Sequence, residues 1–174
     1  MELSRAKQII FEAAKAAGLT EYEIYYMNGV SLSAEALKDS LSAFSCGEGG
    51  GISLRCIVDG KMGYASTELF EESELADLVR RACDNARYIE KGDTAPIFAG
   101  SESYATLNLP AFEPLTAADA KAMTLDMQKQ IYAASEAVTD GTQAACISSS
   151  SEIYLCNSHG LELSNRVAEK FSCE

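Results

Sequence analysis

Ile52-Ser53-Leu54-Arg55-Cys56-Ile57-Val58-Asp59-Gly60-Lys61-Met62-Gly63-Tyr64-Ala65-Ser66 is the stretch whose reading decides the fold. Its first seven residues are rich in β-formers. Asp59-Gly60 is a strong two-residue hairpin signal, because both residue types tolerate positive φ, and Lys61 to Ser66 reads as the return strand. Downstream the period changes from two to nearly four. Leu75, Leu78, Val79, Ala82, Ala86 and Ile89 mark one apolar face of a helix expected from Glu71 to about Glu90, with acids near its start. Upstream, Leu3, Ala6, Ile10, Ala13 and Ala17 predict a helix over Glu2 to Ala17 that Gly18 stops. Glu23 to Met27 predicts a short strand ending in an Asn28-Gly29 turn. Val30 to Leu37 and Leu41 to Cys46 alternate enough to favour strands, and Gly47 to Gly51 reads as a flexible corner.

The second half repeats this outline. Gly92 to Pro114 holds all the prolines and no sustained period, so it reads as a linker or crossing segment. Thr116-Ala117-Ala118-Asp119 resembles a capping box and should open a helix running to about Val138. Gln143 to Ser149, Glu152 to Cys156 and Leu161 to about Phe171 read as strands, the last two joined by the turn Asn157-Ser158-His159-Gly160. The expected class is α+β: an antiparallel sheet packed with helices, as a helix–strands–helix unit followed by a second, similar helix–strands unit. The expected organisation is an amino-terminal domain over 1–92, a linker or crossing segment over 93–115, and the start of a middle domain over 116–174. No closing helix follows the last strand, so truncation of a longer polypeptide is the expectation.

A chain of 174 residues with 47% apolar and 23% charged residues can bury a real core. The net charge of −12 excludes more. Nucleic-acid binding draws on clustered Lys and Arg to displace condensed counterions, and here only Arg80-Arg81 stand adjacent, inside a helical pattern. The expected partners therefore include neither nucleic acid nor membrane. The start Met1-Glu2-Leu3-Ser4-Arg5-Ala6-Lys7 opens no signal peptide, and no apolar run approaches the roughly 20 residues that span a bilayer. Six cysteines without a CxxC spacing, and no glycosylation sequon, point to reduced thiols and a cytoplasmic address.

His159 is the only histidine, which rules out an HExxH zinc site within this sequence. Cys156 and His159 share one tight turn and could form a thiolate pair; the plainer reading is a small buried hydrophobe beside a turn histidine. No spacing predicts mixed ligation of a metal by Cys46, Cys56, Cys156 and His159. The Gly47–Gly51 cluster lacks the Walker pattern and is followed by a strand, so it does not read as a phosphate cradle. Glu71, Glu72 and Glu74 suit the start of a helix on a solvated face. Ser148 to Ser151 carries no nucleophile elbow. No catalytic, cofactor-binding or metal-ligating residue is assigned. The remaining feature of interest is an open sheet edge, which invites pairing with another chain or an extended peptide.

The ordered pattern Gly51-x-x-x-Arg55-x-x-x-Asp59-Gly60-x-x-Gly63-Tyr64-Ala65-Ser66-Thr67, followed by a helix ending Ala82-x-x-x-Ala86, resembles the TldD/PmbA family, also called proposed modulators of DNA gyrase. The Gly18-to-Tyr26 entry and the turn Cys156-Asn157-Ser158-His159-Gly160, similar to the family's Asn-Ser-x-Gly, agree with it. The resemblance implies a much longer intracellular protease, of which this is the amino-terminal domain and the start of the middle one. It implies a zinc HExxxH site well downstream in the TldD-type subunit, and a metal-free PmbA-type partner that pairs with it. The segment after Asp59-Gly60 and the Tyr64-Ala65-Ser66-Thr67 wording lean towards the PmbA type. No cofactor is expected in this segment, although the parent or its partner would carry zinc. The function implied is a non-catalytic scaffold or dimerisation segment of an assembly acting on peptide or protein, any effect on gyrase passing through proteolysis. The alternative is a self-contained protein- or peptide-binding module with no peptidase role.

Overall fold

The structure is a computed structural model that describes residues 1–90, 95–107 and 115–173. The elements run α1 (Leu3–Ala16), β1 (Tyr22–Leu37), β2 (Ser40–Val58), β3 (Lys61–Thr67), α2 (Glu72–Tyr88), α3 (Ala117–Ala133), β4 (Gln143–Asn157) and β5 (Glu162–Cys173). The strands form one five-stranded sheet in the order β3-β2-β1-β4-β5, the α+β arrangement expected from the sequence. Contacts divide the chain into two compact units. One comprises Met1–Met27, Gly50–Thr106 and Ile153–Asn165; the other comprises Asn28–Gly49, Leu107–Glu152 and Arg166–Glu174.

The first unit is built around the decisive hairpin. Asp59 and Gly60 both adopt positive φ, 51° and 75°, as a two-residue turn of matching twist requires. The register is fixed from there: Val58 opposes Lys61, Cys56 opposes Gly63, and Ile52 opposes Thr67. Tyr22 and Ile24 of β1, with Ile52, Leu54 and Cys56 of β2, turn one face into a core shared with Ile10 of α1 and Leu75, Leu78, Val79 and Ala82 of α2. Helix α2 lies against β3 at the limit of approach. A Cβ on Gly63 would stand 1.9 Å from the carbonyl oxygen of Ala82 and 2.9 Å from the methyl of Ala86. Helix α1 ends as predicted: Gly18 takes φ 74°, its N–H donates to Lys15 O, and the Leu19 N–H donates to Ala14 O, both at 3.0 Å. On the other face of the sheet, Arg55 Nε lies 2.8 Å from Oε1 of Glu23, a residue only 7% exposed. Removing Arg55 would strand a buried carboxylate, a change that typically costs about 3–5 kcal/mol.

The second unit has a smaller core of Leu32, Ala34, Ala120 and Cys146, with Leu115 packed on it. The expected cap of α3 is present: the Thr116 hydroxyl oxygen accepts from the Asp119 N–H at 3.1 Å. The helix stops at Ala133 rather than near Val138. The Ser135 hydroxyl accepts from the Ala137 N–H at 3.2 Å, a local bond that competes with the helical ladder. Two side chains on α3 bond back into the fold: Thr124 Oγ1 donates to Ala120 O at 2.7 Å, and Gln128 Nε2 donates to Thr142 O at 2.9 Å.

The strands are longer and fewer than the sequence suggested. Asn28-Gly29 is not a turn; β1 continues through it to Leu37, and the reversal occurs at Lys38, with φ 60°. Gly47–Gly51 is not a corner but part of β2, and Ser149–Glu152 lies inside a continuous β4. None of these glycines has positive φ. Gly51 instead allows close approach, since a Cβ there would come within 2.9 Å of Thr67 O. Of the expected linker 93–115, residues 93–94 and 108–114 lie outside the described residues, as does Glu174. The described part is anchored by Ile97, 4% exposed, and by Asn157 Nδ2 donating to Phe98 O at 2.7 Å.

Four cysteines are sealed into these cores: Cys56, Cys83, Cys146 and Cys156 are buried and free, whereas Cys46 is exposed. Burial, aided by the neighbouring Cys83, pushes the Cys56 thiol up to about 12. Burial also raises the Cys156 thiol.

Gly63→Ala should destabilise the protein by about 3 kcal/mol or more in urea titration, because backbone rather than a flexible side chain occupies the space. Gly60→Ala, which meets open space but a positive φ, should cost about 1–2 kcal/mol. Equal losses would mean that helix α2 does not seat on Gly63. In native alkylation at neutral pH read by peptide mass mapping, Cys46 should react while Cys56, Cys83, Cys146 and Cys156 stay protected until unfolding. Rapid labelling of Cys156 would contradict its placement.

Candidate functional site

The residues that could have carried chemistry are engaged in architecture. Cys156 is 1% exposed, and its thiol is held above the ordinary range, chiefly by burial; a thiolate nucleophile needs the opposite. The His159 ring faces elsewhere, with Nε2 2.9 Å from Glu21 Oε2 at the surface. The turn between them is a knot of backbone and amide bonds. Asn157, 2% exposed, accepts on Oδ1 from the His159 N–H at 3.0 Å and the Leu161 N–H at 3.2 Å. Ser158 Oγ accepts from the Tyr22 N–H at 3.2 Å, the Ser158 N–H donates to Tyr22 O at 2.9 Å, and Gly160 supplies φ 87°. The Asn157-Ser158-His159-Gly160 signature thus ties the start of β1 to the β4–β5 turn.

The motif around the hairpin reads the same way. Gly51 and Gly63 permit close packing, Arg55 neutralises Glu23, and Asp59-Gly60 turn the chain. The carbonyl of Tyr64 accepts from Asn85 Nδ2 at 2.8 Å, and Thr67 Oγ1 accepts from the Leu69 N–H at 3.1 Å. Glu72 pairs with Arg5 at 2.7 Å across the two helices of the first unit. Ser148 is 5% exposed within β4. Among the described residues no group of three or more His, Cys, Asp or Glu side chains could hold a metal ion, so these residues do not fit a zinc centre. No described helix is long and apolar enough to cross a membrane.

What the fold does present is an open strand edge in the second unit. β3 ends at Thr67, opposite Ile52, so β2 from Ser40 to Gly49 has no strand on that side among the described residues. Residues 41–49 are all exposed. The pairing of Val58 with Lys61 flanks a two-residue turn and so sets the alternation of the paired stretch: even-numbered residues from Ile52 to Val58 direct their backbone groups towards β3. The odd-numbered ones face β1, as the Ile57 N–H does in donating to Glu21 O at 2.9 Å. The segment has no proline and no lysine or arginine, and its one acid, Glu48, accepts from Asn28 Nδ2 at 2.9 Å. It therefore lacks the charges and prolines that usually blunt an edge. Lys121 of α3 lies 4.0 Å from the ring centroid of Phe44, leaving that ring 39% exposed. The sequence had suggested that some edge would be open; which one depends on where β3 ends, and that is a property of the register.

Comparison with known proteins bears on the fold and the family. Residues 22–86 match the family model of the PmbA/TldA metallopeptidase domain 1. The fold is similar to that of a proposed modulator of a DNA gyrase from Thermotoga maritima, with a TM-score of 0.80 at 18% identity over 96% of this chain and 38% of that one. A proposed modulator of DNA gyrase from Bacteroides thetaiotaomicron gives 0.64 at 19% identity, covering 95% of this chain and 38% of the other. TldE from Thermococcus kodakarensis gives 0.60 at 21% identity, covering 92% and 36%. A search of curated protein sequences found no match. The chain spans well under half the length of the solved proteins it resembles. Residues 22–86 thus match the first domain of the PmbA/TldA metallopeptidase family, and the chain shares the fold of these solved proteins.

Proposed function

We propose that this chain is the non-catalytic, amino-terminal scaffold and pairing segment of a TldD/PmbA-type intracellular metallopeptidase, closer to the PmbA type, and that the free edge of β2 is where a second such subunit adds. The observation that carries this reading is a division of labour. The family motif is spent on holding the first unit together, while Ser40–Gly49 keeps a row of backbone donors and acceptors without a partner strand among the described residues. Backbone pairing along such a row gives affinity with little demand on side-chain identity. Zinc and the residues that hold it would then lie in the remainder of the longer protein or in its partner, and the substrate would be peptide or protein. The acidic composition, with a net charge of −12, supports action on gyrase through proteolysis rather than through DNA contact.

The same edge also supports the alternative of a binding module that accepts an extended peptide without cleaving it. The two readings separate in one experiment. Of the neighbouring pair Ser42→Pro and Ala43→Pro, one removes an edge-facing N–H while leaving the bonds to β1 in place, and that variant is the test. In the longer polypeptide proposed to contain this region, sedimentation should show pairing weakened about tenfold or more, with an unchanged circular-dichroism spectrum. Undiminished pairing would show that the edge is not the interface. A protein that stays monomeric, binds extended peptides and never hydrolyses them would overturn the peptidase reading in favour of the binding module.

A further inference from the structure

The first unit contains a cleft of about 760 Å³ along the flank of α1, closed by Tyr154 of β4 and Glu162 of β5. Its walls are apolar: Leu3, Phe11, Leu19, Tyr22 and Tyr154. Phe11 and Tyr22 meet edge to face at 5.1 Å between centroids, which fixes one wall. Polar groups converge at one place on this lining. Lys7 Nζ lies 2.6 Å from Glu162 Oε2, and the Tyr154 hydroxyl donates to Glu162 Oε1 at 2.7 Å. The Lys7 ammonium stands 5.6 Å from the Phe11 ring centroid and 6.0 Å from that of Tyr154. A volume in the small-molecule range, aromatic walls and a few converging polar groups are the usual marks of a ligand site.

Donor capacity is left beside the aromatic wall of the cleft. Both oxygens of Glu162 are occupied, and Glu12 accepts on Oε1 from Gln8 Nε2 at 2.8 Å. Lys7 uses one of its three N–H groups on Glu162, and Lys15 lines the same flank of α1. Burial and the Glu162 carboxylate hold the Tyr154 phenol protonated, so it adds no negative charge. What remains beside the aromatic wall is the Lys7 ammonium with N–H groups to spare. We infer that this cleft binds the carboxylate of an apolar acid, with Lys7 on the carboxylate and the apolar part against Phe11, Tyr22 and Leu19. The acid is either a small free molecule or the carboxyl-terminal residue of a peptide. This inference stands independently of any pairing along β2.

The probes are N-acetyl-L-phenylalanine, its amide, and a neutral pentapeptide ending in a free-acid phenylalanine, each titrated into the 15N-labelled chain. The free acid should shift amides of α1 and of residues 154 and 162, with a dissociation constant on the order of 1 mM or tighter. The amide should bind at least about tenfold more weakly. Lys7→Met should erase that difference while keeping the stem of the side chain. Glu162→Gln, which frees Lys7 of its competitor, should tighten acid binding by about threefold or more, a gain that a purely structural role would not produce. A pentapeptide that binds more tightly than the free acid would identify a peptide terminus as the ligand, and equal binding would identify a small acid. Equal binding of acid and amide, shifts confined to other surfaces, or no shifts at 10-fold the expected constant would overturn the assignment.

Discussion

The approach of Ala82 to Gly63 is the contact on which the first unit depends. A helix can come this close to a strand only where the strand lacks a Cβ, and a Cβ on Gly63 would stand 1.9 Å from the Ala82 carbonyl. Once α2 is seated there, Ala82 and Ala86 must stay small, and Leu75, Leu78 and Val79 fall onto Ile52, Leu54 and Cys56. The register that places Gly63 opposite Cys56 follows from the Asp59-Gly60 turn, so a two-residue reversal determines where a seventeen-residue helix can lie. Arg55 and Glu23 bind β2 to β1 on the opposite face, and the Asn157 turn fastens β1 to the β4–β5 connection. These contacts account for the spaced residues of the family pattern without calling on catalysis.

Much of this was legible in the sequence because its signals were local. The hairpin at Asp59-Gly60, the Gly18 stop of α1, the Thr116 cap and the apolar stripe of α2 each rest on residues within a few positions of one another. What was not legible depends on partners far away in the chain. Asn28-Gly29 and Gly47–Gly51 carry turn chemistry, yet they lie in extended strands, because glycine serves close strand approach as readily as it serves a reversal. The true reversal at Lys38 has no glycine to announce it. The α1 cleft was equally invisible, since Lys7, Tyr154 and Glu162 share no motif and meet only when β4 and β5 reach the first helix.

The same distinction applies to function. The lone His159 and the cysteines offered chemistry by residue type, and the structure gives each an engaged or buried place. The functional opportunity instead comes from backbone: β2 is nineteen residues long and β3 only seven, and the mismatch leaves part of a strand unpartnered among the described residues. An edge of that kind is costly to leave open in a cell, where it would template aggregation. The lack of lysine and proline along it is the physical argument behind the proposed pairing.

Residue-resolved amide hydrogen exchange over Ser40–Val58 tests that argument most directly. An open edge predicts alternation: amides between Leu41 and Gly49 that face β1 are slow, and those between them that face the free edge exchange freely. From Ile52 to Val58 both sets should be slow, because β3 lies on the other side. Uniform protection across Ser40–Gly49 in the isolated chain would mean that the edge is already covered, and uniform rapid exchange would mean that β2 does not extend beyond Gly51. Either result would contradict an open edge held on a rigid scaffold.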